Sequence, residues 1–110
     1  MVTVAEFTEY RNKAKKLLPG QEEQDAIINY LSEHPNSGEV MQGTGGVRKL
    51  RWALPGGGKS GGVRIIYYHD ERMPIQLFTM FGKGEKDNLT NKEKNELKAA
   101  IKQLVKNYGL

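Results

Sequence analysis

The chain has 110 residues, a formal net charge of +4 and no cysteine, which fits one domain over 1–110 and excludes disulfides, thiol nucleophiles and cysteine-based zinc sites. Hydrophobic residues make up 37% and charged residues 27%, a balance that excludes a wholly disordered chain. No apolar run approaches the ~20 residues of a membrane-spanning helix and no apolar signal segment follows Met1, so a cytoplasmic protein without membrane contact is expected.

Val2 and Val4 around Thr3 predict a short opening strand, although Thr3 and Glu6 also carry the spacing of a helix capping box. Phe7, Tyr10, Ala14, Leu17 and Leu18 then recur at helical spacing until Pro19-Gly20 ends the run. A second helix is expected from about Gln21 to Glu33, with Ile27, Ile28 and Leu31 on its apolar side and Pro35 closing it. The two form a helical hairpin. Asn36-Ser37-Gly38 is turn chemistry, and Gly43, Gly45 and Gly46 let the backbone bend before a sheet begins.

Three apolar runs follow. In the first, alternation puts Arg48, Leu50, Trp52 and Leu54 on one face and Val47, Lys49, Arg51 and Ala53 on the other. Leu50, Trp52 and Leu54 are expected to pack on the helices, which turns Lys49 and Arg51 away from them. In the second, Val63, Ile65 and Tyr67 alternate with Arg64, Ile66 and Tyr68; both sets are partly apolar, and the arginine argues that its own set is the exposed one. Asp70-Glu71-Arg72 reads as a turn. In the third run Ile75, Leu77, Thr79 and Phe81 alternate with Gln76, Phe78 and Met80, and the whole is expected to form an antiparallel meander. Thr90 and Glu93 make a second capping-box pattern ahead of Leu97, Ile101, Leu104, Val105 and Tyr108, the strongest helical period in the chain. Lys94, Lys98 and Lys102 on its polar face read as solvated charge.

Two motifs look functional and are better explained otherwise. Ala53-Leu54-Pro55-Gly56-Gly57-Gly58-Lys59-Ser60 is a relaxed match to a nucleotide-binding loop, but such a loop needs a helix N-terminus behind it, and a strand pattern follows here. A hairpin loop is expected instead. His34 and His69 have no metal-ligand spacing and read as turn or surface residues. The cations are more informative. From Gly43 to Lys86 there are eight Lys or Arg against three acids, so this stretch more than accounts for the net charge. In a meander Lys49, Arg51, Arg64 and the exit lysines Lys83 and Lys86 can converge, as a solvated basic face or as a groove for an RNA backbone that stabilises a phosphorane-like transition state.

Gly43-Thr44-Gly45-Gly46-Val47-Arg48-Lys49-Leu50-Arg51, Gly58-Lys59-Ser60-Gly61-Gly62-Val63-Arg64-Ile65-Ile66-Tyr67-Tyr68 and Phe81-Gly82-Lys83-Gly84-Glu85-Lys86 together resemble the HigB branch of the RelE-type toxins. The resemblance implies an α+β fold, with two N-terminal helices, a small antiparallel sheet and a C-terminal helix. It further implies a toxin of a toxin-antitoxin pair that cuts messenger RNA in the ribosomal A site without metal or other cofactor, and a silencing antitoxin with a helix-turn-helix domain. Carried over by position, Lys49, Arg51, Arg64 and Lys86 take the catalytic places, binding phosphate and stabilising the transition state, with Lys49 or Arg51 assisting proton transfer. Lys59 and Lys83 are expected to touch substrate or ribosomal RNA, and Tyr68 or Phe81 to stack on a base. The chain departs from some RelE relatives at Thr90, where they carry a tyrosine. Two other readings remain open at this stage, a ParE-like inhibitor of DNA gyrase that is not an enzyme, and a plain RNA-binding module; the density of strand-borne cations favours RNA cleavage.

Overall fold

The computed structural model describes residues 2–55, 62–86 and 88–110. In chain order it contains β1 (Val4–Glu6), α1 (Thr8–Leu17), α2 (Gln21–Glu33), β2 (Glu39–Val40), β3 (Arg48–Trp52), β4 (Val63–Tyr68), β5 (Ile75–Gly82) and α3 (Asn91–Asn107). The α+β architecture is that expected from the sequence. β3, β4 and β5 form the antiparallel meander, β2 extends it antiparallel at one edge, and β1 joins β5 in parallel at the other. The parallel edge makes the sheet mixed. Its five strands run in the order β1-β5-β4-β3-β2.

Both faces of this sheet are covered. On one side Tyr10 and Ala14 of α1 and Ile27 and Leu31 of α2 pack on Leu50, Ile65, Leu77 and Met80. On the other, Leu97, Ile101 and Leu104 of α3 pack on Val47, Ile66, Phe78 and Phe81. Among the described residues no helix is long and apolar enough to cross a membrane. α3 starts where the sequence places it, because the Thr90 hydroxyl accepts from the Glu93 N–H while the Glu93 carboxylate accepts from the Thr90 N–H, satisfying two otherwise orphaned donors. Phe7 does not join the hydrophobic stripe of α1. It stands before the helix and meets Phe78 edge-on at 4.8 Å on the α3 side.

Strict alternation fails in β5. Ile66 pairs with Thr79, but the next residue, Tyr67, pairs with Leu77, so Phe78 is an extra residue in the ladder. The bulge resets the parity. Met80 thereby joins Leu77 against α1 and α2, whereas Phe78 and Phe81 share the α3 face. Sequence alternation puts Phe78 with Met80 and cannot see this reset.

Tyr67 ties the sheet to the connection after α2. Its buried hydroxyl donates to the Pro35 carbonyl at 2.8 Å and accepts from the Gly38 N–H at 2.9 Å. Any side chain at Gly38 would collide with it, since a Cβ there lies 2.8 Å from the Tyr67 ring. Tyr67→Phe keeps the ring but strands a buried N–H, and is expected to lower stability by about 1–3 kcal/mol. Urea unfolding with an unchanged slope checks this; a midpoint equal to wild type would show that the two bonds contribute nothing net.

Candidate functional site

Residues of β3, β4 and β5 alternate in rows across the sheet. Leu50, Ile65 and Met80 are cross-strand partners and form a row toward α1 and α2. The next row is Arg51, Arg64 and Phe81, on the α3 side. Directly paired residues place their Cα atoms roughly 4.5–5.5 Å apart, so two guanidinium side chains start from adjacent positions. Lys49 stands two residues before Arg51 on the same strand face, paired with Ile66. Lys86 completes the group from beyond β5, its Nζ 5.2 Å from the centre of the Phe81 ring, in cation–π geometry. Lys49, Arg51 and Arg64 therefore lie on neighbouring strands, and Lys86 approaches their row through Phe81, the cross-strand partner of Arg64.

Burial among them differs, and Arg64 is a correction. Its charge argued for exposure, yet the residue is only 7% exposed, in a strand whose first five residues are all buried. β4 is the central strand of the sheet, and Arg64 stands between its cross-strand partners Arg51 and Phe81. Arg51, one strand nearer the edge, is exposed, and Lys49 and Lys86 are half-buried. Two shallow depressions flank the row. One, at the β2–β3 edge, is lined by Ser37, Glu39, Lys49, Leu50 and Arg51; the other, beyond β5, includes Phe81, Glu85, Lys86 and Glu93.

The lysines have named partners. Lys49 Nζ donates to Asn88 Oδ1 at 2.9 Å, and Lys86 Nζ donates to the Glu93 carboxylate. That ion pair, with the Thr90 N–H, holds the Glu93 carboxyl below its ordinary range. Lys13 does the same for Glu85 across a 2.9 Å contact. Neither Asn88 nor Glu93 stands out in the sequence as part of a site. The capping-box spacing identifies Glu93 as a helix cap, but its second oxygen finds Lys86 only in three dimensions.

The remaining expected residues fall elsewhere. Phe81 is 1% exposed and belongs to the core beneath the site; its ring supports Lys86 and offers no open face to a base. Tyr68 lies four residues beyond Arg64 on β4, roughly 13 Å along the strand. It packs against the α3-side core, and burial and the nearby Asp70 push its hydroxyl up. Lys83 is exposed in the turn after β5. Lys59, and most of the relaxed nucleotide-loop match, lie outside the described residues, and β4 occupies the place where a phosphate-binding loop would need a helix. His34 caps α2 and packs on Tyr30, and His69 follows β4; among the described residues no cluster of His, Cys, Asp or Glu is arranged to hold a metal ion.

The glycine-rich lead-in to β3 also acquires a structure. Thr44 is fully buried, its hydroxyl donating to the Met41 carbonyl at 2.6 Å and accepting from the Val47 N–H at 3.0 Å. Gly43, Gly45 and Gly46 on either side all have positive φ, the region where glycine alone carries no steric penalty. This turn leads directly into β3, which carries Lys49 and Arg51.

The model of the family described as "RelE toxin of RelE / RelB toxin-antitoxin system" matches residues 24–108, from within α2 to the end of α3. The chain belongs to the RelE toxin family. It is a toxin of a toxin-antitoxin system, and the matched span contains the β3–β4–β5 row, both lysines and their partners. Among the described residues, the three helices and five-stranded mixed sheet agree with a RelE-like fold.

Proposed function

We propose that this RelE-family toxin belongs to the HigB branch and is an endoribonuclease that cuts messenger RNA in the ribosomal A site, blocking translation in the cytoplasm. One observation carries the reading. Arg51 and Arg64 are directly paired across neighbouring strands, and Arg64 is buried. Two guanidinium groups that start from adjacent strand positions can bind one phosphate together through charge-assisted hydrogen bonds.

RNA supplies its own nucleophile. The 2′-oxygen attacks the adjacent phosphorus, the bond from phosphorus to the 5′-oxygen breaks, and the products are a 2′,3′-cyclic phosphate and a 5′-hydroxyl. One proton leaves the 2′-hydroxyl and one reaches the departing 5′-oxygen. Lys49 or Arg51 assists that transfer, while Arg51, Arg64 and Lys86 neutralise charge on the phosphorane-like transition state. Lys83 and Lys59 contact substrate or ribosomal RNA as screened positive charges. The cognate partner is a helix-turn-helix antitoxin that silences the toxin.

The test is to add the purified toxin to a translating extract and map RNA ends after a short exposure. New 5′ ends at A-site spacing on ribosome-bound messages are expected, and none on the same RNA without ribosomes. Intact message together with blocked gyrase supercoiling would replace this reading with the gyrase one. Tight RNA binding without cutting would reduce the protein to a binding module.

A further inference from the structure

The site lysines are both tethered to one short stretch, the connection from β5 into the first turn of α3. Asn88 takes Lys49, and Glu93 takes Lys86. Glu93 uses its two oxygens differently: Oε1 accepts from the Thr90 N–H at 2.9 Å and closes the helix cap, whereas Oε2 accepts from Lys86 Nζ. A lysine ammonium on a flexible four-carbon stem samples many rotamers unless something holds it. Here a carboxylate oxygen and the Phe81 ring together define its place. Phe81 is the cross-strand partner of Arg64, so this place is one strand from the buried guanidinium.

We propose that Glu93 is a positioning residue, which holds the Lys86 ammonium over Phe81 and presents it to the scissile phosphate beside the Arg51–Arg64 row. The proposal rests on the endoribonuclease reading above. Glu93 itself repels phosphate. Its benefit is therefore confined to orientation, and its loss has a distinctive signature: kcat falls while KM stays the same or drops.

Around the carboxylate stand Glu9 and Lys13 of α1, Glu85 and Lys86 of the connection after β5, and Glu96 of α3. The bonds from Lys86 and the Thr90 N–H depress the carboxyl's folded pKa. A depressed carboxylate contributes stability that is complete above its unfolded pKa of about 4.3 and is lost as pH falls through the folded value. At neutral pH the tether is intact.

Glu93→Gln separates the two jobs of the side chain. Glutamine keeps the capping box, its single oxygen taking the Thr90 N–H, which turns its amide donors toward Lys86, itself a donor. The cap survives and the tether is lost. In the ribosome-dependent cutting assay E93Q is expected to lose on the order of ten- to a hundredfold in kcat, with KM not raised and thermal unfolding lowered only slightly, since the lost ion pair is partly exposed. A second readout needs no cutting. In protein labelled with ¹³C at lysine Cε, the Lys86 resonance, assigned by its loss in Lys86→Arg, is expected to move in wild type as acid titrates Glu93, and to lack that step in E93Q. Unchanged kcat in E93Q beside an active wild type overturns the proposal. If wild type itself does not cut, the endoribonuclease reading fails, and an acid step of undiminished size in E93Q shows separately that Glu93 does not hold Lys86, since the neighbouring Glu85 is unchanged.

Discussion

Replacing Arg64 by glutamine is expected to lower A-site cutting by on the order of a hundred- to a thousandfold, the scale seen when one preorganised stabiliser of transition-state charge is removed. Arg64 is the central member of its row, with Arg51 on one side and Phe81 on the other, and it is nearly closed off from water. Charge acts most strongly where solvent does not screen it. The conservative variant R64K keeps the charge but loses the planar fork that can hold two phosphate oxygens at once, so partial recovery is expected and full recovery is not. R64Q retains much of the apolar stem and removes a like charge facing Arg51, so the fold is expected to survive. The check is end mapping and a cutting rate on ribosome-bound message, beside a thermal melt. Undiminished cutting by folded R64Q would take Arg64 out of the mechanism.

The adjacent residue gives the opposite result. Ile65 points to the α1 and α2 side, is fully buried, and is the centre of the Leu50–Ile65–Met80 row. Ile65→Ala removes three carbons from a strand held on both sides, where collapse around the cavity is limited, and is expected to cost about 2–5 kcal/mol. For a domain of this size that lowers Tm on the order of 10–20 °C. Cutting per folded molecule, measured well below the new Tm, is expected to stay near wild type, because the Arg51–Arg64 row lies on the other face. A melt within two or three degrees of wild type would show that the core around Ile65 repacks freely. On the proposed function, one step along β4 separates a change expected to disarm the toxin from one expected to destabilise it.

Much of this was legible in the chain. Gln21 to Glu33 is the second helix, and the capping-box pair Thr90 and Glu93 marks the start of the last one. Both depend on contacts within a few residues, where periodicity and stop signals act directly. Lys49, Arg51, Arg64 and Lys86 were readable as a set, because alternation on β3 and a meander topology are enough to gather them. Less was legible where a partner is distant. Arg48 reads in sequence as one more strand cation, but its guanidinium donates to the Asn36 and Gly38 carbonyls at 3.1 and 2.7 Å and ties down the connection after α2. Trp52 likewise reaches Glu23 on α2 at 2.7 Å.

The sequence by itself determined the type and order of the main elements, the location of the positive charge and the residues that carry it. These follow from spacing, turn chemistry and residue type, all local properties. Tertiary structure alone decided that β1 joins in parallel, that the bulge at Phe78 resets the faces of β5, that α3 packs on the second face of the sheet, and that Arg64 is buried in the central strand. It also decided that Lys86 meets both the Phe81 ring and the Glu93 carboxylate. Each depends on which surfaces meet when apolar faces are withdrawn from water, and that is a property of the packed chain rather than of any stretch within it.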